Sequence, residues 1–334
     1  MTTPGAMMAA EIAEQPEALS RLLRDGAQSA AEARRAIERY APRFVLLAAR
    51  GTSDHAALYA KYLAEVRLNL PAGLASASTF TLYGARPDMS GVLFVAVSQS
   101  GGSPDLVESL QVARDCGALT VAVTNNPASA LAAAAAHSVD VHAGPERAVA
   151  ATKTYTSELL ALYLLLVGGD ATAVPDAAAR TLGHADKAYA SAQRFATVDR
   201  LVTTARGFSY PTAREGALKL METSYLAAQA FSGADLLHGP MAMLGPDVPV
   251  IAVTTPGRGA AAMTPVLERL AAAQVDVLRV GPDDGLPVVM PGVDETLAPI
   301  LEILPLQQLA WRLAIDRGGD PDRPRGLSKV TQTW

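Results

Sequence analysis

The stretch "GVLFVAVSQSGGSPDLVESLQVARDCG" runs from Gly91 to Gly117 and decides the fold. Its opening is a short, continuously apolar run. Six small or polar residues follow, and then a segment that begins with Pro104 and Asp105. Proline suits the first turn of a helix, where its missing N–H would have no intrahelical partner. The stretch therefore reads as strand, turn and helix. The same order appears upstream, where "FVLLAA" precedes "RGTSD" and a helix expected from about Ala56. Downstream, "ALTVAVT" leads into "NNPASALAAAAAH". Short apolar strands alternating with helices imply a parallel sheet covered on both faces. Ligands of such sheets gather at the carboxyl ends of the strands. Both "RGTS" and "SQSGGS" then lie at the mouth of the same unit.

The pattern recurs. "LLAARGTSDHAALYAKYL" from Leu46 resembles "LVTTARGFSYPTAREGAL" from Leu201, and Ser53 aligned with Ser209 gives an offset of 156 (209 − 53). "VAVS" at Val95 and "IAVT" at Ile251 repeat that offset (251 − 95). A duplicated α/β unit is expected. The fold class is α/β, two tandem doubly wound units with parallel sheets flanked by helices. The expected boundaries are an N-terminal helical segment over 1–40, a first unit over 41–185, a second over 186–320 and a tail over 321–334.

Composition narrows the classes. The 334 residues are half hydrophobic and 18% charged, enough apolar material for two cores. A net charge of −5 argues against a general nucleic-acid surface. The single cysteine, Cys116, allows no internal disulfide, which fits a reducing, cytoplasmic setting. Five scattered histidines lack metal-ligand spacing, so no metal site is expected. The N-terminus has no signal-peptide pattern. The longest aliphatic block, "LLALYLLLV" (Leu159 to Val167), is too short to span a bilayer and reads as a buried core or interface helix.

Four motifs are candidates for chemistry, each beside a plainer reading. In "SQSGGS", glycines let backbone N–H groups converge on an anion, and the following helix adds partial positive charge. Hydroxyls of Ser98, Ser100 and Ser103 complete a cradle for a phosphate monoester; the alternative is an ordinary polar turn. A P-loop and a three-glycine dinucleotide fingerprint are both missing. In "EGALKLMETSY", Glu215, Lys219 and Glu222 fall at i, i+4 and i+7 on one helix face. That is either a solvated salt-bridge stripe or an acid, a base and a cation aimed at a substrate. His238 in "LLHGP" sits on a turn from which a ring can reach a ligand, although lone histidines are more often structural. Lys329, in "DPDRPRGLSKVTQTW", would ordinarily be a solvated terminal lysine.

Together these residues resemble the SIS (sugar isomerase) domain family. Within it they are similar to the isomerase half of glucosamine-6-phosphate synthase and to the related glucosamine-6-phosphate deaminases. The resemblance covers nearly the whole chain: "EIAEQPEAL", "RGTS", "SQSGGS", "AGPERAVAATKTYT", "EGALKLMETSY", "HGP" and "DPDRPRGLSK" occur in family order. It implies two flavodoxin-like SIS units, the first binding a phosphosugar and the second carrying the catalytic helix. It assigns the phosphate to Gly51, Thr52, Ser53, Ser98, Gln99, Ser100 and Ser103, and the sugar to Val149 and Ala151. Glu222 matches the general base between C1 and C2, with Glu215 and Lys219 as its companions. His238 matches the group that assists ring opening, and Lys329 the lysine that meets the open-chain carbonyl.

The implied activity is aldose–ketose isomerisation of an amino-sugar 6-phosphate, converting glucosamine 6-phosphate to fructose 6-phosphate and ammonia. No cofactor is needed. The implied partner is a small sugar phosphate, with no nucleic acid and no membrane, in a homodimer with shared sites. The synthase also has a glutaminase domain with a nucleophilic cysteine; Cys116 lies far inside this chain, so glutamine is not expected as nitrogen source by that route. Arg50 stands where the synthase has Cys, Ser103 where it has Thr, and Ala151 where it has Ser. These departures leave other substrates open, namely another hexosamine or a fructosamine-type phosphate (a deglycase). A non-catalytic phosphosugar sensor is the rival from another class. About 40 residues precede the first strand, without a basic recognition helix, which favours the enzyme.

Overall fold

The computed structural model describes residues 3–281 and 285–329, so the last five residues of the expected tail lie outside the described residues. The first sheet has five parallel strands in the order β2-β1-β3-β4-β5. They are β1 (Phe44–Ala48), β2 (Ala72–Leu74), β3 (Val92–Ser98), β4 (Leu119–Thr124) and β5 (His137–Asp140). Beyond their first residues, β3 and β4 are buried throughout. This is the reason their sequences are unbroken apolar runs rather than alternating ones.

One side of this sheet is covered by a core of Phe94, Leu106, Leu110, Ala122 and Leu131. The helix Lys153–Leu166 packs on the Thr52–Arg67 and Ala27–Tyr40 helices. Every residue of it except Leu164 is buried, so the aliphatic block is core. Each such leucine contributes roughly 1.5–3 kcal/mol by leaving water. The expected helix at Ala56 begins earlier, at Thr52. Gly51 adopts φ 57°, a left-handed turn that lets the helix start directly after it.

The second sheet has four parallel strands in the order β7-β6-β8-β9. They are β6 (Arg200–Ala205), β7 (Ala227–Ser232), β8 (Val250–Val253) and β9 (Val277–Val280). Replacing β1 to β4 by β6 to β9 reproduces the first four strands of the other sheet. The register agrees as well. Leu46 faces Phe94 and Leu47 faces Val95 in one sheet; Val202 faces Val250 and Thr203 faces Ile251 in the other, each 156 positions on (202 − 46). The outer pairs keep the same offset, since Val45 opposite Ala72 becomes Leu201 opposite Ala228. Only the β8–β9 pairing is shifted, by one residue. A coincidence of short motifs would not carry strand register with it. The chain is a duplicated unit.

The described residues form two compact units. One comprises Glu17–Glu146 and Lys153–Thr172; the other takes the described part of Met1–Pro16 with Arg147–Thr152 and Ala173–Lys329. The sequence around Val149 and Ala151 thus belongs with the second sheet. Among the described residues, no helix is long and apolar enough to cross a membrane.

Candidate active site

The turn after β3 is shaped by Gly101. It has φ 61°, and a Cβ there would lie 2.1 Å from the Ser129 hydroxyl. No other residue fits. Ser98 Oγ accepts from the Gly101 N–H at 3.2 Å, and Ser100 Oγ accepts from the Gly102 N–H at 3.3 Å. A hydroxyl that accepts in this way keeps its own proton to donate. Ser103 is the N-cap of the Pro104–Asp115 helix and makes no side-chain cap bond. Serine hydroxyls and a helix N-terminus therefore meet on one short turn, an arrangement suited to an anion. Gln99 departs from this pattern. Its side chain donates to Glu146 Oε2 at 2.9 Å, while Glu146 Oε1 accepts from the Thr154 N–H at 3.1 Å.

The turn after β1 supplies Gly51, Thr52 and Ser53. Thr52 opens the helix and is half-buried, whereas Ser53 is buried with its hydroxyl donated to Glu158 Oε1 at 2.8 Å. That commitment leaves Ser53 its backbone N–H, not its hydroxyl proton, for any further partner.

The three charges of the second unit lie on the helix Tyr210–Ser224. Lys219 Nζ is 3.2 Å from Glu215 Oε1 and 2.6 Å from Glu222 Oε2. Glu215 and Lys219 have side-chain exposures of 0%, and only Glu222, at 20%, reaches the surface. A solvated stripe is excluded. Burial by itself lowers the Lys219 pKa, but the Glu215 and Glu222 carboxylates more than reverse this, and the ammonium is held well above its ordinary range. Such a triad carries a large desolvation penalty and is weak as a source of stability.

The duplication supplies a control. At 156 positions earlier, the first copy has Tyr59, Leu63 and Val66 on the matching helix, and Tyr59 and Leu63 are fully buried. The first copy holds uncharged side chains at these positions. Charge in the second copy is a special feature of that copy.

Val149 and Ala151 are half-buried on a segment held from two directions. The buried carboxylate of Glu11 accepts from the N–H groups of Arg147 and Ala148, and the Val149 N–H donates to the Asp322 carbonyl. The Asp322 carboxylate in turn accepts from Met7 (3.0 Å) and Met8 (2.7 Å), while Asp320 accepts from Gly5 (2.9 Å). Gly5, at the start of the Ala6–Ala13 helix, has no side chain with which to cap it, and Asp322 supplies the cap from the other end of the chain. Glu11, Asp320 and Asp322 lie in "EIAEQPEAL" and "DPDRPRG" and carry no local signal; only partners 136 or more positions away in the chain give them a role. His238 is exposed at the end of the Gly233–Leu237 helix, and its ring is not bonded to the triad. Lys329 is half-buried at the end of the described tail.

The SIS domain matches residues 40–168 and 194–279, which covers both sheets. The chain belongs to the SIS domain family. It is 36% identical over 295 residues to glutamine–fructose-6-phosphate aminotransferase (isomerizing) from Methanothermobacter thermautotrophicus, covering 84% of this chain and 50% of that protein. The chain spans about half the length of the curated relatives it matches. The solved C-terminal domain of glucosamine-fructose-6-phosphate aminotransferase from Francisella tularensis aligns with a TM-score of 0.85 and 26% identity, covering 95% of this chain and 98% of that one. A glucosamine-6-phosphate deaminase structure from Thermotoga maritima shares the fold, at a TM-score of 0.81 and 21% identity, covering 98% and 100%.

The two SIS copies have diverged at their turns as well as their helices. The second copy has "TTPGRG" (Thr254 to Gly259) where the first has "SQSGGS". That turn already faces a carboxylate: Glu295 Oε1 accepts from the Gly259 N–H at 3.0 Å. Ser209, the counterpart of Ser53, donates to buried Glu302 at 2.7 Å, so the Ser–Glu brace is kept in both SIS copies.

Proposed function

We propose that this chain is a phosphosugar isomerase acting on an amino-sugar 6-phosphate, with glucosamine 6-phosphate and water giving fructose 6-phosphate and ammonia. The observation that carries the reading is the buried Glu215–Lys219–Glu222 triad, placed where the sister helix is apolar and open to the surface only at Glu222. Glu222 takes the proton from C2 of the open-chain sugar and returns it to C1, giving a ketose imine at C2. Water adds to that imine and ammonia leaves. Lys219, held as a cation beside Glu222, offsets the negative charge that develops on the substrate. Glu215 fixes Lys219 in place.

Ser98, Ser100 and Ser103 hold the phosphate through their hydroxyls, with Gln99, Gly51, Thr52 and Ser53 contributing backbone and helix-terminal donors. The phosphate is a handle whose binding energy orients the reacting carbons. Val149 and Ala151 line the sugar, His238 assists ring opening, and Lys329 meets the open-chain carbonyl. The relatives named above support this class of substrate, and the chemistry requires no cofactor. The test is ammonia release across a panel of hexosamine 6-phosphates. Release is expected from glucosamine 6-phosphate. Tight binding of the panel without any release would overturn the enzyme in favour of a sensor.

A further inference from the structure

An arginine beside an anion cradle invites assignment as an anion ligand. Arg50, in the turn after β1, does not have that freedom. Its Nε is 2.9 Å and its Nη2 2.8 Å from Asp105 Oδ2, and its Nη1 donates to the Ala49 carbonyl at 3.3 Å. Asp105 is 3% exposed and is the second residue of the Pro104–Asp115 helix. A carboxylate in a first helical turn complements the helix dipole. It also opposes any second anion drawn to the same end, and poorly solvated surroundings strengthen that repulsion.

We propose that Arg50 is a positioning residue for a phosphate monoester. It neutralises Asp105, whose charge would otherwise oppose the anion at that helix end. The inference rests on the reading of Ser98 to Ser103 as the phosphate site. The duplication supports it, because the second copy keeps the arginine, as Arg206, but has Ala261 in place of Asp105. The Arg–Asp pair thus accompanies the serine-rich turn and not the turn that faces Glu295.

Calorimetric titration with inorganic phosphate, glucosamine 6-phosphate and unphosphorylated glucosamine tests this, with melting temperature followed in every variant. Arg50→Ala should weaken both phosphorylated probes about tenfold, the scale of one charge at a helix terminus. Glucosamine binding should not change. Arg50→Ala combined with Asp105→Asn should restore affinity, and Arg50→Lys should fall between. A double variant as weak as Arg50→Ala, or an Arg50→Ala protein that binds like wild type, overturns the inference. If Arg50→Ala does not fold, Asp105→Asn alone decides: it should bind phosphate at least as tightly as wild type, and weaker binding refutes the proposal. Wild-type protein that binds neither phosphorylated probe overturns the reading of the cradle, and this inference with it.

Discussion

Glu222 is the one member of its triad that a solvent-borne molecule can reach, and the buried Lys219 beside it is fixed as a cation. Replacing Glu222 with Gln keeps the shape and removes the base. Deuterium exchange from solvent into product should disappear while sugar-phosphate affinity stays close to wild type. Exchange at the wild-type rate would return Glu222 to a merely structural ion pair. Glu302 is a second buried acid with a different fate. Burial pushes its carboxyl up to about 7 from 4.5, against the Ser209, Thr255 and Thr212 hydroxyls, with Glu295 adding repulsion. Between those pH values the unfolded chain gives up a proton that the folded chain keeps. The stability due to protonated Glu302 is therefore complete below 4.5 and is lost as pH rises through 7, by about 3 kcal/mol. Glu302→Gln should flatten that part of a denaturation-midpoint profile against pH; an unchanged slope would show that other groups set it.

At the scale of elements, the strands were legible because burial on both faces leaves no polar position to interrupt an apolar run. The turn "SQSGGS" was legible because its glycines and hydroxyls stand between such a strand and a proline-started helix. Ser98→Ala with Ser100→Ala should weaken phosphorylated ligands far more than plain sugars, since hydrogen bonds to a charged group contribute roughly 1.5–3 kcal/mol each. Equal weakening of both ligand types would mean that the turn only shapes the backbone. What stayed hidden were partners far apart in the chain. No signal in the sequence marks Glu158 on the Ser53 hydroxyl or Asp105 against the Arg50 guanidinium. The helix start at Thr52 was missed for a local reason: Thr, Ser and Asp after a glycine read as a continued turn, yet Gly51's left-handed conformation ends the turn in one residue.

For the whole molecule, the two copies of one design differ in their chemistry at matching positions. One has a hydroxyl-lined turn and Tyr59, Leu63 and Val66 on its helix; the other has charge at those three helix positions. Family resemblance also suggests a dimer in which His238 serves the partner's site, although the Lys153–Leu166 helix, being core, does not supply the contact. Mixing two dead variants, His238→Ala and Glu222→Gln, tests the arrangement. Action across the dimer gives each mixed pair one intact site, so activity returns; a demonstrably mixed population that stays dead places His238 in its own chain's site. The bonds from Asp320 and Asp322 to Gly5, Met7 and Met8 carry a practical consequence of another kind. They make the two ends of the second unit one mechanical joint, so a load on the first residues is felt seven positions from Lys329. A purification tag placed ahead of Gly5 should slow turnover without lowering the melting temperature, and proteolytic removal of the tag should restore the rate. Identical kinetics with and without the tag would show that the joint is stiff enough to isolate the tail from whatever is hung on the other end.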